Sequence, residues 1–204
     1  MPLTKRPQIV LFLIPFVSLE PGTSFPLKPV FGNDNLTHCL FGDSDYRRYN
    51  LDGVFKYKNS REENNIEEYF QFYRNGVIEV VSSSYMIDHI SNSEHELPIR
   101  ALELAIKKNV GRYFSLYREL EIAPPVLLYI SLHGFKDYKG KDSRTFGTYN
   151  KLGRDDLHLP EILIDDINQD SATILKPAFD ALWNATGREG SPSYDESGNW
   201  KEEN

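Results

Sequence analysis

The clearest hydrophobic pattern in the chain is a pair of β-rich runs, 66–73 and 77–81, on either side of Asn75-Gly76. Both runs are rich in β-branched and aromatic residues, which favour strands. Asn-Gly supplies the two positive-φ residues of a type I′ turn. The sequence therefore predicts an antiparallel hairpin with Phe72 opposite Glu79. Large apolar groups on both of its faces indicate a sheet that is covered on two sides.

A long amphipathic helix is predicted after the hairpin, over about residues 97–120, because apolar residues recur at steps of three or four. Ser93 and Glu96 have the S-x-x-E spacing of a capping box at its start. A second helical pattern covers about residues 171–186 and contains Pro177, which predicts a kink or a late start. The apolar positions of the long helix are Ile99, Leu102, Ile106, Val110, Tyr113, Tyr117 and Leu120.

Four further runs, 9–14, 54–58, 126–132 and 157–164, are typical of strands. The first follows Lys5 and Arg6, as in a secretory signal, but it lacks a small-residue cleavage site and falls short of the roughly 20 residues that span a bilayer. We therefore expect a buried strand and a cytoplasmic protein without a membrane segment. The element order predicts one α+β domain over 1–187, with helices packed on a mainly antiparallel sheet, and a loose polar tail over 188–204.

Composition and motifs argue against several functional classes. The chain has 23 basic and 30 acidic residues, a net charge of −7, which disfavours a dedicated nucleic-acid binder. Its single cysteine, Cys39, excludes an internal disulfide framework and a cysteine-based zinc site. The sequence contains no phosphate-binding loop, dinucleotide fingerprint, nucleophile elbow or H-E-x-x-H motif. We therefore expect no cofactor and no bound metal.

One cluster of acidic residues and a histidine could serve a metal-dependent enzyme. Asp155, Asp156, His158 and Glu161 offer hard oxygen ligands and one imidazole, which suit Mg²⁺ or Mn²⁺ in a hydrolase or nuclease. In a strand, however, Asp156 and His158 point to one face while Asp155 and Glu161 point to the other. This alternation favours an ordinary strand edge over a metal site.

His133 is a second candidate, because it ends a predicted strand beside a loop, where catalytic groups often lie. Ser131 and Tyr129 share its face of the strand. No nucleophile stands at a diagnostic spacing from it, and triads are recognised by geometry. The sequence therefore favours a half-buried, hydrogen-bonded histidine.

A basic and aromatic patch is the third candidate. The stretches 46–49 and 56–58 combine cations with rings, including Tyr46 and Tyr49, in the way that proteins grip single-stranded nucleic acid. The candidate binding residues are Arg47, Arg48, Lys56 and Tyr57. The net charge of −7 opposes this interpretation except at a focused patch. An exposed strand face with its preceding turn is the alternative explanation.

Three stretches, 69–81, 154–162 and 175–185, together with the opening strand at 6–10, resemble bacterial DNA-binding or ATP-binding proteins that carry an AlbA-type (Schlafen-like) domain. The likeness covers most of the chain but matches the region after that domain, and the AlbA-type domain itself is missing here. The matched residues are packing and turn residues. The resemblance therefore implies an accessory domain for sensing, oligomerisation or partner binding in a bacterial cytoplasmic protein, in a phage-defence context.

The sequence thus favours a non-catalytic module that binds a protein partner or a second copy of itself, and leans against an enzyme. One alternative is the divalent-metal hydrolase or nuclease at Asp155, Asp156, His158 and Glu161. The other is single-strand binding through the basic and aromatic patch.

Overall fold

The computed structural model describes residues 7–42, 44, 46–60, 65–83, 95–142 and 149–201. Within these ranges, the strands are β1 Gln8–Pro15, β2 Tyr46–Tyr49, β3 Gly53–Asn59, β4 Ile66–Tyr73, β5 Ile78–Ser82, β6 Glu96–Pro98, β7 Val126–His133, β8 Lys139–Lys141, β9 Asp156–His158 and β10 Ile162–Ile164. The main sheet has the strand order β10-β7-β1-β5-β4-β3-β2, with β9 also paired to β7, and its described pairs are antiparallel. Strands β6 and β8 form a separate parallel pair.

The apolar run near the start of the chain forms β1, which lies in the middle of the sheet between β5 and β7. Ile9, Leu11 and Leu13 are buried on one face, and the alternate residues are half-buried on the other. A strand is thus formed where one was predicted. Its central position explains why the run is apolar on both faces.

The predicted hairpin forms, but its turn type and register differ from the expectation. The Gly76 amide donates to the Tyr73 carbonyl over 2.9 Å, and the Tyr73 amide donates to the Val77 carbonyl over 2.8 Å. Gly76 has a φ of +93°, whereas Asn75 is not among the residues with positive φ. The loop is therefore three residues long, a type I turn followed by a glycine bulge.

The extra loop residue shifts the pairing by one position. Phe72 lies opposite Ile78, and Phe70 lies opposite Val80, so the predicted pairing of Phe72 with Glu79 is wrong. The observed register gathers the apolar pairs on one face and leaves Glu79 on the other. Burial of one face selects this register, because a slip by one residue would exchange the two faces.

Three α-helices accompany the sheet in the described ranges: α1 Leu27–Gly32, α2 Ile99–Glu119 and α3 Ser171–Asn184. All seven apolar positions predicted for the long helix are buried. The predicted capping box is wrong, because Glu96 belongs to β6 and the helix begins after Pro98; Ser93 lies outside the described residues. Among the described residues, no helix combines the length and the apolar character needed to cross a membrane. The α+β class, the mainly antiparallel sheet, the long helix and the C-terminal helix are confirmed.

The predicted strand over 157–164 is divided into β9 and β10, and both pair with β7. Pro160 lies between them and has no N–H to donate to a ladder. Asp156 and His158 share one face of β9, as the alternation predicted. The break allows β9 and β10 to follow β7 at its two ends.

Within the described residues 188–201, the C-terminal segment packs against the helices, although the sequence predicts a loose polar tail over 188–204. Ser193 is fully buried, Tyr194 is 5% exposed, and the Tyr194 hydroxyl donates to the Ala172 carbonyl over 2.6 Å. The sequence suggested a tail because the segment is rich in glycine, serine and charge. Its serines are held instead by a buried carboxylate.

That carboxylate is Glu103 of α2, which is fully buried. It accepts hydrogen bonds from the Trp183 indole over 2.8 Å and from the hydroxyls of Ser191, over 2.6 Å, and Ser193. Burial raises the pKa of Glu103, and the three donors partly oppose that rise. The network joins α2, α3 and the C-terminal segment.

Candidate functional site

The three α-helices lie against one face of the sheet. Tyr113 of α2 packs on Phe70 with ring centroids 5.5 Å apart, and the Tyr117 hydroxyl donates to the Leu13 carbonyl over 3.1 Å. On α1, Phe31 stacks on Tyr49 at 4.3 Å. No α-helix of the described ranges covers the opposite surface, which we call the open face. The expectation of a sheet covered on two sides is therefore not met by the described helices.

An aromatic ladder crosses the open face at the β2 end of the sheet. It consists of Tyr46, Tyr57, Phe55 and Tyr69, taken from strands β2, β3 and β4. Successive ring centroids are 5.3 Å apart along the whole series. Tyr46 is 52% exposed and the other three rings are half-buried. The rings thus form a continuous, rigid and partly solvent-facing surface.

Arg48 lies over this ladder. Its guanidinium carbon is 5.3 Å from the centroid of Phe55 and 5.7 Å from that of Tyr57, both within the range of a cation–π interaction. Among the described residues, Arg48 has no carboxylate partner. The guanidinium edge therefore keeps its donors available on the open face.

A carboxylate borders the inner side of the ladder. Glu79 accepts hydrogen bonds from the hydroxyl of Tyr69 over 2.9 Å and from that of Tyr73. Burial raises the pKa of both tyrosines, and the neighbouring Glu79 raises them further. Glu79 is thus committed to two hydroxyls and does not neutralise Arg48.

The predicted basic and aromatic patch is divided between the two faces of the sheet. Arg48 and Tyr57 lie on the open face, whereas Arg47 and Lys56 face the helices. Arg47 lies over Phe31 at 5.0 Å and donates to both Asp34 oxygens, over 2.8 and 2.9 Å.

Lys56 is fully buried and donates to Asp34 over 2.9 Å and to the Thr37 hydroxyl. Its hydrogen bond to Asp34 lowers the pKa of that carboxyl, while burial lowers the pKa of Lys56. One carboxylate thus engages both cations on the helix side of the sheet. The four residues do not share one surface, and single-strand binding through them stays a prediction.

A cleft of about 410 Å³ opens beside this ion pair, lined by Asp34, Asn35, Thr37, His38, Ser44, Tyr46 and Arg47. Asp34 and Arg47 form an ion pair, and Asp34 also pairs with Lys56. The cleft therefore offers hydroxyls and amides beside charges that are already paired.

The open face carries a histidine cluster at its other end. His133 Nε2 lies 2.8 Å from the Ser131 hydroxyl, and His133 Nδ1 lies 2.8 Å from Asp156 Oδ1. His158 Nδ1 bonds to the Tyr129 hydroxyl, and the two imidazole centroids are 5.8 Å apart. The structure therefore brings together three of the predicted candidates, which belong to two neighbouring strands.

The order Ser131–His133–Asp156 is that of a nucleophile, a base and its orienting carboxylate. Ser131 is only 2% exposed, however, so its hydroxyl anchors the imidazole and does not present itself to a substrate. His133 is thereby fixed through both ring nitrogens. This is the hydrogen-bonded histidine that the sequence favoured.

Asp155 and Glu161 do not join the cluster. Asp155 is exposed, and its carbonyl accepts from the Gly134 amide over 3.0 Å. Glu161 is exposed between β9 and β10. Within the described ranges, no group of three or more histidine, cysteine, aspartate or glutamate side chains has the arrangement of a metal site. The donor set of the proposed metal enzyme is thus not assembled.

The chain matches no family model, no curated protein and no solved structure. The resemblance to proteins with an AlbA-type domain therefore stays a prediction, and functional inference rests on the geometry alone.

The sequence reasoning missed half of the aromatic ladder. It included Tyr46, Tyr57 and Arg48 but not Phe55 or Tyr69. A signal was present, because aromatic residues occupy alternate positions in β3 and recur in the adjoining strands. Knowing that these rings meet required the strand order and the register.

Proposed function

We propose that this chain is a protein-interaction module that binds an acidic segment of a partner protein on the aromatic ladder. The observation that carries this proposal is Arg48, which is stacked on partly exposed rings and has no carboxylate partner among the described residues. Aromatic residues and arginine are the types enriched where proteins bind one another. A partner's carboxylate would supply the counter-charge.

The charge around the ladder favours a protein over a nucleic acid. Binding a phosphate backbone requires several cations along one track. Arg47 and Lys56 are bound to Asp34 on the helix side of the sheet, which leaves Arg48 on the ladder with Glu79 at its border. One cation beside rigid rings suits a polypeptide with scattered carboxylates. Single-strand binding is therefore the less favoured function.

A photocrosslinking experiment tests the proposal. Benzoylphenylalanine replaces Tyr46 on the ladder or, as a control, Leu163 at the opposite edge of the sheet; the two side chains are similarly exposed, at 52% and 53%. In cells of the source organism, we expect an adduct with another protein from position 46 and none from position 163.

The captured protein is then purified and titrated against the chain. We expect Arg48→Glu to weaken binding at least tenfold and added salt to weaken it further, because the contact is electrostatic. Arg154→Glu makes the same charge change at an exposed residue outside the ladder and should leave affinity unchanged. The proposal would be contradicted if the adduct is sensitive to nuclease or contains a second copy of the chain. Equal capture at both positions would also contradict it, and so would full affinity of Arg48→Glu.

A further inference from the structure

The partner's binding mode follows from the position of the ladder beside a free sheet edge. Strand β2 is the last strand of the main sheet and pairs only with β3 among the described residues. Its side chains Tyr46 and Tyr49 are 52% and 51% exposed. An unpaired edge of this kind is a template for another extended chain.

The hydrogen-bond alternation identifies which backbone groups face outward. The Asn50 amide donates to the Gly53 carbonyl over 3.0 Å, which makes 50 and 53 a hydrogen-bonded pair. Along two antiparallel strands, hydrogen-bonded pairs alternate with pairs that form no hydrogen bonds. The backbone groups of Arg48 and Tyr46 therefore also bond to β3. The N–H and C=O groups of Arg47 and Tyr49 therefore point away from the sheet.

The two arginines of β2 leave this edge accessible. Charged side chains on an edge strand often serve to block pairing. Here Arg47 is held by Asp34 over Phe31, and Arg48 lies over Phe55 of the adjacent strand. Both guanidinium groups thus lean over the protein and away from the free edge.

We infer that the acidic segment binds as an additional antiparallel strand on β2, forming backbone hydrogen bonds with Arg47 and Tyr49. This inference rests on the proposed function and adds how the partner segment binds and which of its residues are recognised. An added strand lies about 4.8 Å from β2. Its residues opposite Arg48 and Tyr46 form the closer, non-hydrogen-bonded pairs, with Cα atoms about 4.5 Å apart.

Both of those closer pairs lie on the open face. We therefore expect a carboxylate opposite Arg48 and an apolar or aromatic residue opposite Tyr46, because directly opposite side chains are in contact. Arg47 faces the helix side of the sheet and is already paired with Asp34, so it lies away from the residues that contact the open face. Every second side chain of the partner segment should therefore contact the open face, and only those side chains should determine binding specificity.

The test uses random heptapeptides displayed on phage and selected on the whole chain. We expect enrichment of extended sequences in which an acidic residue and an apolar or aromatic residue lie two positions apart. Selected peptides are then synthesised and titrated against a matched pair of variants. Arg47→Ala removes the side chain but keeps the outward N–H, whereas Arg47→Pro removes that N–H as well and preserves the inward bonds of β2.

We expect Arg47→Pro to bind at least tenfold more weakly than Arg47→Ala, with equal melting temperatures for the two variants. Independently of any variant, saturating peptide should slow hydrogen exchange of the Arg47 and Tyr49 amides in the unmodified chain at least tenfold. Strand addition would be overturned if the two variants bind the peptides equally or if hydrogen exchange at these amides is unchanged. A selection that does not enrich acidic residues would overturn it as well. The proposed function would survive those results if a protein crosslinked at position 46 still required Arg48.

Discussion

Loss of the Glu103 carboxylate is expected to cause a large loss of stability. In Glu103→Ala, the Trp183 indole and the hydroxyls of Ser191 and Ser193 lose a shared acceptor inside the protein. Each buried donor left without a partner costs about 1–3 kcal/mol. Because the hydroxyls can rotate towards other acceptors, we expect the free energy of unfolding to fall by about 3–5 kcal/mol.

Urea denaturation followed by tryptophan fluorescence measures this change directly, since Trp183 belongs to the network. Glu161→Ala is the matched control, because Glu161 is exposed and makes no described side-chain contact. Glu103→Gln keeps one acceptor and should lose about 1–2 kcal/mol. Limited proteolysis should cut Glu103→Ala first between residues 188 and 201. If Glu103→Ala unfolds within 1 kcal/mol of the control (roughly the worth of one hydrogen bond), the network does not hold the C-terminal segment.

Three further changes test other parts of the fold. Gly76→Ala places a Cβ 3.0 Å from the Phe25 ring, at a residue whose φ is +93°. We expect calorimetry to show a loss of about 1–3 kcal/mol in the free energy of unfolding. An unchanged melting temperature would contradict the assigned turn. Tyr117→Phe removes a fully buried hydroxyl whose single proton lies between the Leu13 and Gly76 carbonyls. Urea unfolding should show a loss of about 1–2 kcal/mol, and full stability would refute the contact. Glu68 is fully buried, its Oε1 has no hydrogen-bond partner among the described residues, and burial raises its pKa. Because its pKa is higher in the folded state, Glu68 destabilises the fold once the pH rises above its pKa in the unfolded state. Glu68→Gln should therefore raise the melting temperature at pH 7 and not at pH 4. An equal effect at both pH values would refute this.

The described elements show how far local pattern predicts this fold. The long helix was predicted because its seven apolar positions form one stripe, and burial of a stripe at helical spacing leaves few alternatives. The strands at 9–14 and 126–132 were predicted for a similar reason, since their residues alternate or stay apolar throughout. Part of the candidate site could be predicted in the same way, because the alternation of side chains in a strand correctly placed Asp156 and His158 on one face.

Tertiary structure decided the hairpin register, the packing of the C-terminal segment and the composition of the open face. Asn75-Gly76 is compatible with loops of two or three residues, and burial of Phe72 against the helices selected the longer one. Residues 188–201 are polar by composition, and their buried serines find partners only after folding, on Glu103 and Arg100 of α2 and on Asp180 of α3. Arg47 and Arg48 are adjacent in sequence, yet alternation in β2 commits one to Asp34 and leaves the other on the ladder. The sequence by itself thus determined the long helix, the C-terminal helix and the apolar strands, because their patterns depend on neighbours a few residues apart. It did not locate α1, β2, β6 or β8. Which charges remain free depended on residues that meet only after the strands have paired.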